Sequence, residues 1–174
     1  MKKLYAGSIS ADHKYYYIID SNCELTDSLY DWSLTNLRIG YISNDRALTI
    51  STVSDYCAHW IEVFFSEISP ILDDCERALV FNINVPSGKL RIDSAYWYAE
   101  VFIDLLPGCY TVYILAYNLG KQPDPDLEDL LEDDELEQRL DLERYKIVLV
   151  PGKTNNEGVI KGSKYLPDCV FDEE

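Results

Sequence analysis

Hydrophobic and polar residues alternate along most of the chain, and Gly, Pro, Asn or Asp residues separate the alternating runs. Alternation with a period of two is typical of β-strands that bury one face. Short strands at regular spacing indicate an all-β protein, and we predict a single antiparallel β-sandwich. The runs that predict strands are residues 13–20, 37–43, 47–52, 57–65, 79–85, 89–93, 100–104, 109–118 and 144–151.

Three of these runs allow more detailed predictions. Residues 57–65 place His59 on the same face as Ile61, which favours a buried histidine over a catalytic base. Residues 109–118 are apolar on both faces, as expected of a central strand. Only a short turn at Asn44-Asp45 separates residues 37–43 from the next strand, which predicts a hairpin.

The alternation stops at residues 124–143, DPDLEDLLEDDELEQRLDLE, which we call the acidic segment. Asp124 and Pro125 are suited to the start of a helix, but the Leu residues do not stay on one helical face. The pattern therefore predicts two short helices, or one helix and a flexible run. We predict a β-sandwich domain over residues 1–151, with an acidic, partly helical insertion at 120–143 before the last strand, and a C-terminal tail at 152–174.

The acidic segment carries most of the net charge of the protein. Its eleven acidic residues and single Arg give a net charge of −10, and the whole chain of 174 residues has −16. This charge argues against direct binding to nucleic acids or to anionic membranes, because both need basic surfaces. It suits a protein that binds a basic protein partner.

The acidic segment has two interpretations. A charge run is usually a solvated surface. As a helix, however, this one would carry about one negative charge per 2.5–3 Å, compared with about one per 1.7 Å in duplex DNA. A nuclease cleft that attracts phosphates would attract such a surface too. The candidate partner-binding residues are Asp124, Asp126, Glu128, Asp129, Glu132, Asp133, Asp134, Glu135, Glu137, Asp141 and Glu143.

The sequence holds no recognisable catalytic motif. His13 and His59 belong to no nucleophile, zinc-protease or phosphate-binding pattern, and we predict that the protein is not an enzyme. The acidic segment could bind calcium, but it lacks the central Gly of an EF-hand loop. The aromatic stretches at 15–17 and 96–98 could stack on sugars, although a β core needs aromatic residues as well. We predict no cofactor and no metal site.

The five Cys are far apart in the sequence and form no CxxC pair. The N-terminus has no apolar signal region, and no apolar run is long enough to span a membrane. These features predict free thiols in a cytoplasmic protein.

A series of short elements resembles the competence protein J family, whose members are inhibitors of a DNA-entry nuclease. The resemblance covers about residues 5–118 and the closing strand, and the acidic segment and the residues after Pro151 lie outside it. The matching elements are Asp31-Trp32, Gly40-Tyr41, the strand at 47–52, residues 60–65, Val85-Pro86, Gly88, the strand at 90–94, Leu106-Pro107-Gly108 with Tyr110, and the closing strand at 145–150.

The resemblance implies that the protein inhibits a nuclease by protein–protein binding. It also implies that Asp31 and Trp32 belong to the shared scaffold, with the ring of Trp32 buried. Two alternatives stay open: an immunity or anti-defence protein whose target is not a nuclease, and a carbohydrate- or calcium-binding β-module. Steep salt dependence of binding to a basic protein would favour the inhibitor. Glycan binding, or a higher Tm with calcium, would favour the module.

Overall fold

The structure is a computed structural model, and it describes residues 1–10, 15–24, 29, 33–54, 58–72, 74–94, 101–123 and 132–162. Several predictions fall outside these residues. They concern His13, Asp31, Trp32, Cys57, the aromatic stretch at 96–98, residues 124–131 of the acidic segment, and Cys169.

The described part of the chain forms eleven strands and two short helices. The strands are β1 (Lys2–Ser10), β2 (Tyr15–Asp20), β3 (Tyr41–Ser43), β4 (Ala47–Ser51), β5 (Ala58–Phe65), β6 (Arg77–Val85), β7 (Lys89–Ser94), β8 (Val101–Asp104), β9 (Gly108–Tyr117), β10 (Arg144–Pro151) and β11 (Gly158–Lys161). The helices are α1 (Leu34–Ile39) and α2 (Asp133–Gln138).

The strands form two sheets, which confirms the all-β prediction. One sheet has six strands in the order β1-β5-β10-β9-β6-β11, and the other has five in the order β3-β4-β2-β7-β8. β9 lies between β10 and β6, as its apolar sequence predicts. A single hydrophobic cluster draws on both sheets, with Ile18, Leu48 and Ile92 from the smaller sheet and Ile61, Val112 and Ile147 from the larger one.

β5 and β10 run parallel, so the prediction of purely antiparallel strands is wrong for this pair. Trp60 lies opposite Arg144, and Phe65 lies opposite Leu149. A parallel pair needs a long connection between its strands, and here the connection contains β6 to β9 and the acidic segment. The start of β10, directly after the acidic segment, therefore lies beside the start of β5.

Residues 37–39, predicted to begin a strand, belong instead to α1. The Ser33 hydroxyl caps this helix, and Gly40 ends it in the left-handed conformation with a φ of 73°. The guanidinium of buried Arg77 lies 2.8 Å from where a Cβ on residue 40 would be, so that glycine is required there. The strand begins only at Tyr41, and β3 then pairs with β4 as the predicted hairpin.

Part of the predicted C-terminal tail belongs to the six-stranded sheet. β11 pairs antiparallel with β6, and Gly158 lies opposite Val80. The loop before β11 is bound through Asn82, whose side-chain amide donates to the carbonyl of Thr154 at 2.8 Å and accepts the N–H of Thr154 at 2.8 Å. The acidic segment therefore precedes two strands, β10 and β11, rather than the last strand alone.

Two further findings concern thiols and membranes. Cys23 and Cys109 are free thiols, as predicted. The thiol of buried Cys75 donates to the carbonyl of Leu72 at 3.2 Å. Within the described ranges, no helix is long and apolar enough to cross a membrane.

Candidate partner-binding surface

Helix α2 packs on the six-stranded sheet through a small apolar contact. Leu136 in the helix and Leu142 after it are both buried, and they form a cluster with Trp60. Trp60 lies on the face of β5 opposite Ile61, whose side chain belongs to the main core. Because the apolar side of α2 is turned toward the sheet, Asp134, Glu135 and Glu137 are left on the solvent side.

The structure places the predicted site residues in three groups. Glu132, Asp134, Glu135, Glu137 and Asp141 are exposed. Asp133 is the first residue of α2, and Asp124, Asp126, Glu128 and Asp129 lie outside the described residues. Glu143 is buried.

The exposed acids around α2 are largely unpaired. The guanidinium of Arg139 donates two hydrogen bonds to Asp141, both of 2.9 Å, and these bonds lower the pKa of the Asp141 carboxyl. Glu135 Oε2 accepts the backbone N–H of Glu132 at 3.2 Å, which fixes the first turn of the helix. Where the chain is described, no Lys or Arg forms an ion pair with the acids at 132, 134, 135 or 137.

Glu143 has a different position from the one predicted, because its carboxylate faces inward. It accepts backbone N–H bonds from Val53 at 2.8 Å, Ser54 at 2.7 Å and Gly120 at 2.7 Å. It also accepts a short hydrogen bond from the hydroxyl of Tyr145. A buried carboxylate with these bonds cannot meet a partner at the surface, so Glu143 is excluded from the candidate surface. The alternation along β10 indicated this burial, since residue 143 is on the same strand face as the core residues Tyr145, Ile147 and Leu149.

His59 is buried, as its strand phase predicts, and its Nε2 lies 2.7 Å from the Ser54 hydroxyl. Burial lowers the pKa of His59. Ser54 is buried as well, so this Ser–His pair has no access to a substrate and contributes to packing.

The aromatic stretch at 15–17 also serves the core. Tyr16 and Tyr17 are fully buried, and the ring of Tyr16 meets that of Tyr145 edge-on at 5.5 Å. The sugar-stacking interpretation is therefore wrong for these two residues. Among the described residues, no group of three His, Cys, Asp or Glu side chains is arranged to hold a metal ion.

A cleft of about 430 Å³ opens beside α2, on the outer face of the six-stranded sheet. The helical side contributes Glu137 and Leu140. The sheet contributes Trp60 from β5, Tyr117 from β9, and Arg144 and Lys146 from β10. Leu140 is 68% exposed, so the cleft carries an apolar residue at its helical side as well as charges.

Two cations lie on the sheet side of this cleft. Arg144 is placed between Trp60 on β5 and Tyr117 on β9 by the strand register. The ammonium of Lys146 lies over the rings of Phe64 and Tyr117, at 5.4 Å and 5.9 Å from their centres. The opposite charges come from Glu62, Asp74 and Glu137, of which Glu62 pairs with Lys3. Burial raises the pKa of Tyr117, and the nearby acidic groups Asp74 and Glu62 add to the rise.

The sequence prediction did not identify this cleft. Arg144 and Lys146 alternate with the core residues of β10, so their outward direction is visible in the sequence. Their approach to Trp60 depends on the parallel pairing of β5 with β10, which the sequence pattern does not reveal.

Comparisons with known proteins support one family. The crystal structure of ComJ from Bacillus subtilis, described as an inhibitor of the DNA degrading activity of NucA, has a TM-score of 0.64 and 15% identity, and the match covers 87% of this chain and 98% of that chain. A structure described as crocagin biosynthetic gene J has a TM-score of 0.52 and 14% identity, and the match covers 88% of this chain and 100% of that chain. No curated protein sequence matches this chain.

These identities establish a shared fold only, and the family assignment comes from the sequence. The family described as Competence protein J (ComJ) matches residues 14–143, which is most of the chain. The chain belongs to the competence protein J family.

Proposed function

We propose that this protein inhibits a nuclease by binding to it, with the exposed acids around α2 as the first point of attraction. Family membership confirms the prediction that the chain is not an enzyme. The similar structure from Bacillus subtilis is an inhibitor of the DNA degrading activity of NucA. The natural target to test is therefore the nuclease of the NucA type in the same host.

The observation that carries this proposal is the fixed position of unpaired carboxylates on a β scaffold. Glu132, Asp134, Glu135 and Glu137 are exposed within a few residues of one another. Leu136 and Leu142 pack the helix onto Trp60, so the charges are held in place rather than carried on a free tail. A nuclease must present basic groups to DNA phosphates, and such groups attract a surface of this kind.

The direct test measures DNA degradation by the host's NucA-type nuclease at increasing concentrations of the purified protein, in low salt. We expect inhibition that saturates near one inhibitor per nuclease and a stable complex in size-exclusion chromatography. A nuclease of unrelated fold, at the same concentration and salt, is the control and should keep its activity.

Two results would contradict the proposal in different ways. Absence of both inhibition and complex formation would exclude the nuclease of the NucA type as target. It would favour a target of another class. Equal inhibition of the unrelated nuclease would mean that charge alone acts, without a specific interface.

A further inference from the structure

The cleft beside α2 holds two positive groups that form no ion pair in the part of the chain that the structure describes. The chain has 31 acidic residues and 15 Lys and Arg residues, so carboxylates are abundant. Yet, over the ranges that the structure describes, neither Arg144 nor Lys146 forms an ion pair. Both side chains line the same cleft.

Two hydrogen-bond donors at this cleft also lack acceptors. Trp60 is 7% exposed, and its indole Nε1 is buried without a hydrogen-bond partner among the described residues. The same holds for Nη1 of Arg144, the neighbour of Trp60 across the parallel pair. Donors that are buried and unpaired destabilise a fold, so their place beside an open cleft points to an acceptor from outside the chain.

The charges around the cleft define which acceptor fits. Arg144 is a planar donor that matches the two oxygens of a carboxylate, and Lys146 adds a second positive charge. Three carboxylates, those of Glu62, Asp74 and Glu137, line the same cleft, and Glu62 is paired with Lys3. Asp74 and Glu137 oppose a doubly charged phosphate more strongly than a singly charged carboxylate. A partner carboxylate with basic residues beside it fits this cleft. The carboxylate would meet Arg144 and Lys146, and the basic residues would meet Asp74 and Glu137.

We propose that the cleft receives a carboxylate side chain of the partner protein, which Arg144 binds with the help of Lys146. This inference rests on the proposed function and refines it. A nuclease combines basic groups that bind phosphates with carboxylates that hold a divalent cation. The acids of α2 complement the basic groups of the nuclease, and Arg144 complements one of the carboxylates beside those groups.

The two charge systems are expected to act on different rate constants. Exposed charges mainly change the association rate, whereas a charge pair that becomes buried at the interface mainly changes the dissociation rate. Arg144 should therefore act as an anchor, and the acids of α2 as the source of long-range attraction.

The experiment compares Arg144→Met with Arg139→Met in binding kinetics with the host's NucA-type nuclease. Both variants remove one positive charge, but Arg139 pairs with Asp141 in this structure. Methionine keeps an unbranched apolar stem at residue 144, and equal unfolding midpoints will verify that the fold is kept. We expect Arg144→Met to dissociate about tenfold faster or more, with an association rate within about twofold of the wild type, and Arg139→Met to change neither rate beyond about twofold.

Two further measurements keep the test independent of one variant. Arg144→Lys retains a positive charge but loses the two-pronged donor, and it should also dissociate faster. In the wild-type protein, the NMR signal of the Trp60 indole N–H, assigned by its loss in Trp60→Phe, should shift when the nuclease binds.

The outcomes separate this inference from the proposed function. If the wild type inhibits the nuclease, but Arg144→Met dissociates no faster than Arg139→Met and the Trp60 signal does not move, the carboxylate site is excluded. The proposed function as a nuclease inhibitor is then still supported. If the wild type neither binds nor inhibits the nuclease, the proposed function fails and this inference fails with it.

Discussion

Asp20, Asp93 and Glu143 are buried acidic residues, whereas most other acids in the described ranges are at the surface. Asp20 accepts hydrogen bonds from Arg46 Nη2 at 2.6 Å, from Ser87 N at 3.0 Å and from Ser87 Oγ at 2.7 Å. It thereby connects the start of β4 to the turn between β6 and β7. At the scale of the residue, burial with several donors marks an acid that supports the fold rather than a partner.

Asp20 predicts a specific pH dependence of stability. Burial alone would raise its pKa, but the hydrogen bonds from Ser87, Arg46 and Asn22 outweigh burial and lower the pKa. The unfolded chain therefore binds the proton more readily, so the contribution of Asp20 is present above about pH 4 and is lost as the pH falls through the lower folded pKa. We expect Asp20→Asn to reduce the free energy of unfolding by about 2–3 kcal/mol at pH 7. Urea unfolding from pH 3 to pH 7 should show this difference shrinking toward acid, and a difference constant over that range would contradict it.

Glu143 predicts a second effect at the scale of one side chain. Glu143→Gln replaces one acceptor oxygen by an amide donor among the N–H groups of Val53, Ser54 and Gly120. At least one buried donor then loses its partner, and we expect a loss of about 3 kcal/mol in the free energy of unfolding. Glu135→Gln is the matched control on the exposed side of α2, and it should change stability by less than about 0.5 kcal/mol. Equal stability of the two variants would show that the bonds of Glu143 contribute little.

At the scale of the element, α2 depends on the sheet for its existence. It has six residues, and a helix this short is not stable by itself in water. Leu136 is its buried contact with Trp60, whereas Leu140, just after the helix, is exposed. The acidic surface is therefore positioned by Leu136 in the helix and by Leu142 after it.

Because Leu136 is buried against the sheet and Leu140 is exposed, replacing each of them by Ala should have different effects. Leu136→Ala should lower the free energy of unfolding by about 2 kcal/mol, the low end for a buried leucine, because its cluster is small. It should also speed cleavage near residues 132–137 by a protease that cuts after Glu, since the segment loses its hold on the sheet. Leu140→Ala should change neither quantity appreciably. Unfolding curves and timed digestion of both variants provide the measurement, and equal digestion rates would mean that Leu136 does not hold the helix.

Nine of the eleven described strands were predictable because turns and alternation are local properties, whereas β1 and β11 were not predicted. β9 was recognised as central from its two apolar faces. Features that depend on contacts between distant residues were not predictable. The cleft is one of them, because it depends on the register of Trp60 with Arg144. Helix α1 is a different case, since its Ser33 cap and its end at Gly40 are local helix signals that the strand-like pattern of residues 37–43 outweighed in the prediction. The spacing of Glu143 from the core residues of β10 indicated a buried side chain. The surrounding acidic residues nevertheless led to its prediction as a partner-binding residue.

At the scale of the whole molecule, the distribution of charge matters as well as its amount. The net charge is −16, and the structure gathers exposed acids around α2 beside a cleft that holds Arg144 and Lys146. A uniform negative surface would attract any basic protein. A fixed acidic surface next to a cleft that also holds Arg144 and Lys146 would orient a partner as well as attract it.

Two variants with the same net charge separate the position of the charges from their number. One changes Glu132, Asp133, Asp134 and Glu135 to Gln or Asn, and the other makes the same change at Glu24, Asp45, Glu67 and Asp104, which are exposed and lie elsewhere. Each variant is four units less negative than the wild-type charge of −16. Their unfolding free energies should stay close to that of the wild type, because exposed charges contribute little to stability.

The α2 variant should associate with the host's NucA-type nuclease about tenfold more slowly at low salt, within the range that electrostatic steering provides. The dispersed variant should lose no more than about threefold, because its four charges lie outside the acidic segment. The two rates should converge as salt rises, since the Debye length falls to about 8 Å at physiological ionic strength. Stopped-flow association over a salt series measures both. If the two variants slow association equally at every salt concentration, net charge alone governs encounter, and the partner-binding surface has to be sought elsewhere on the two sheets.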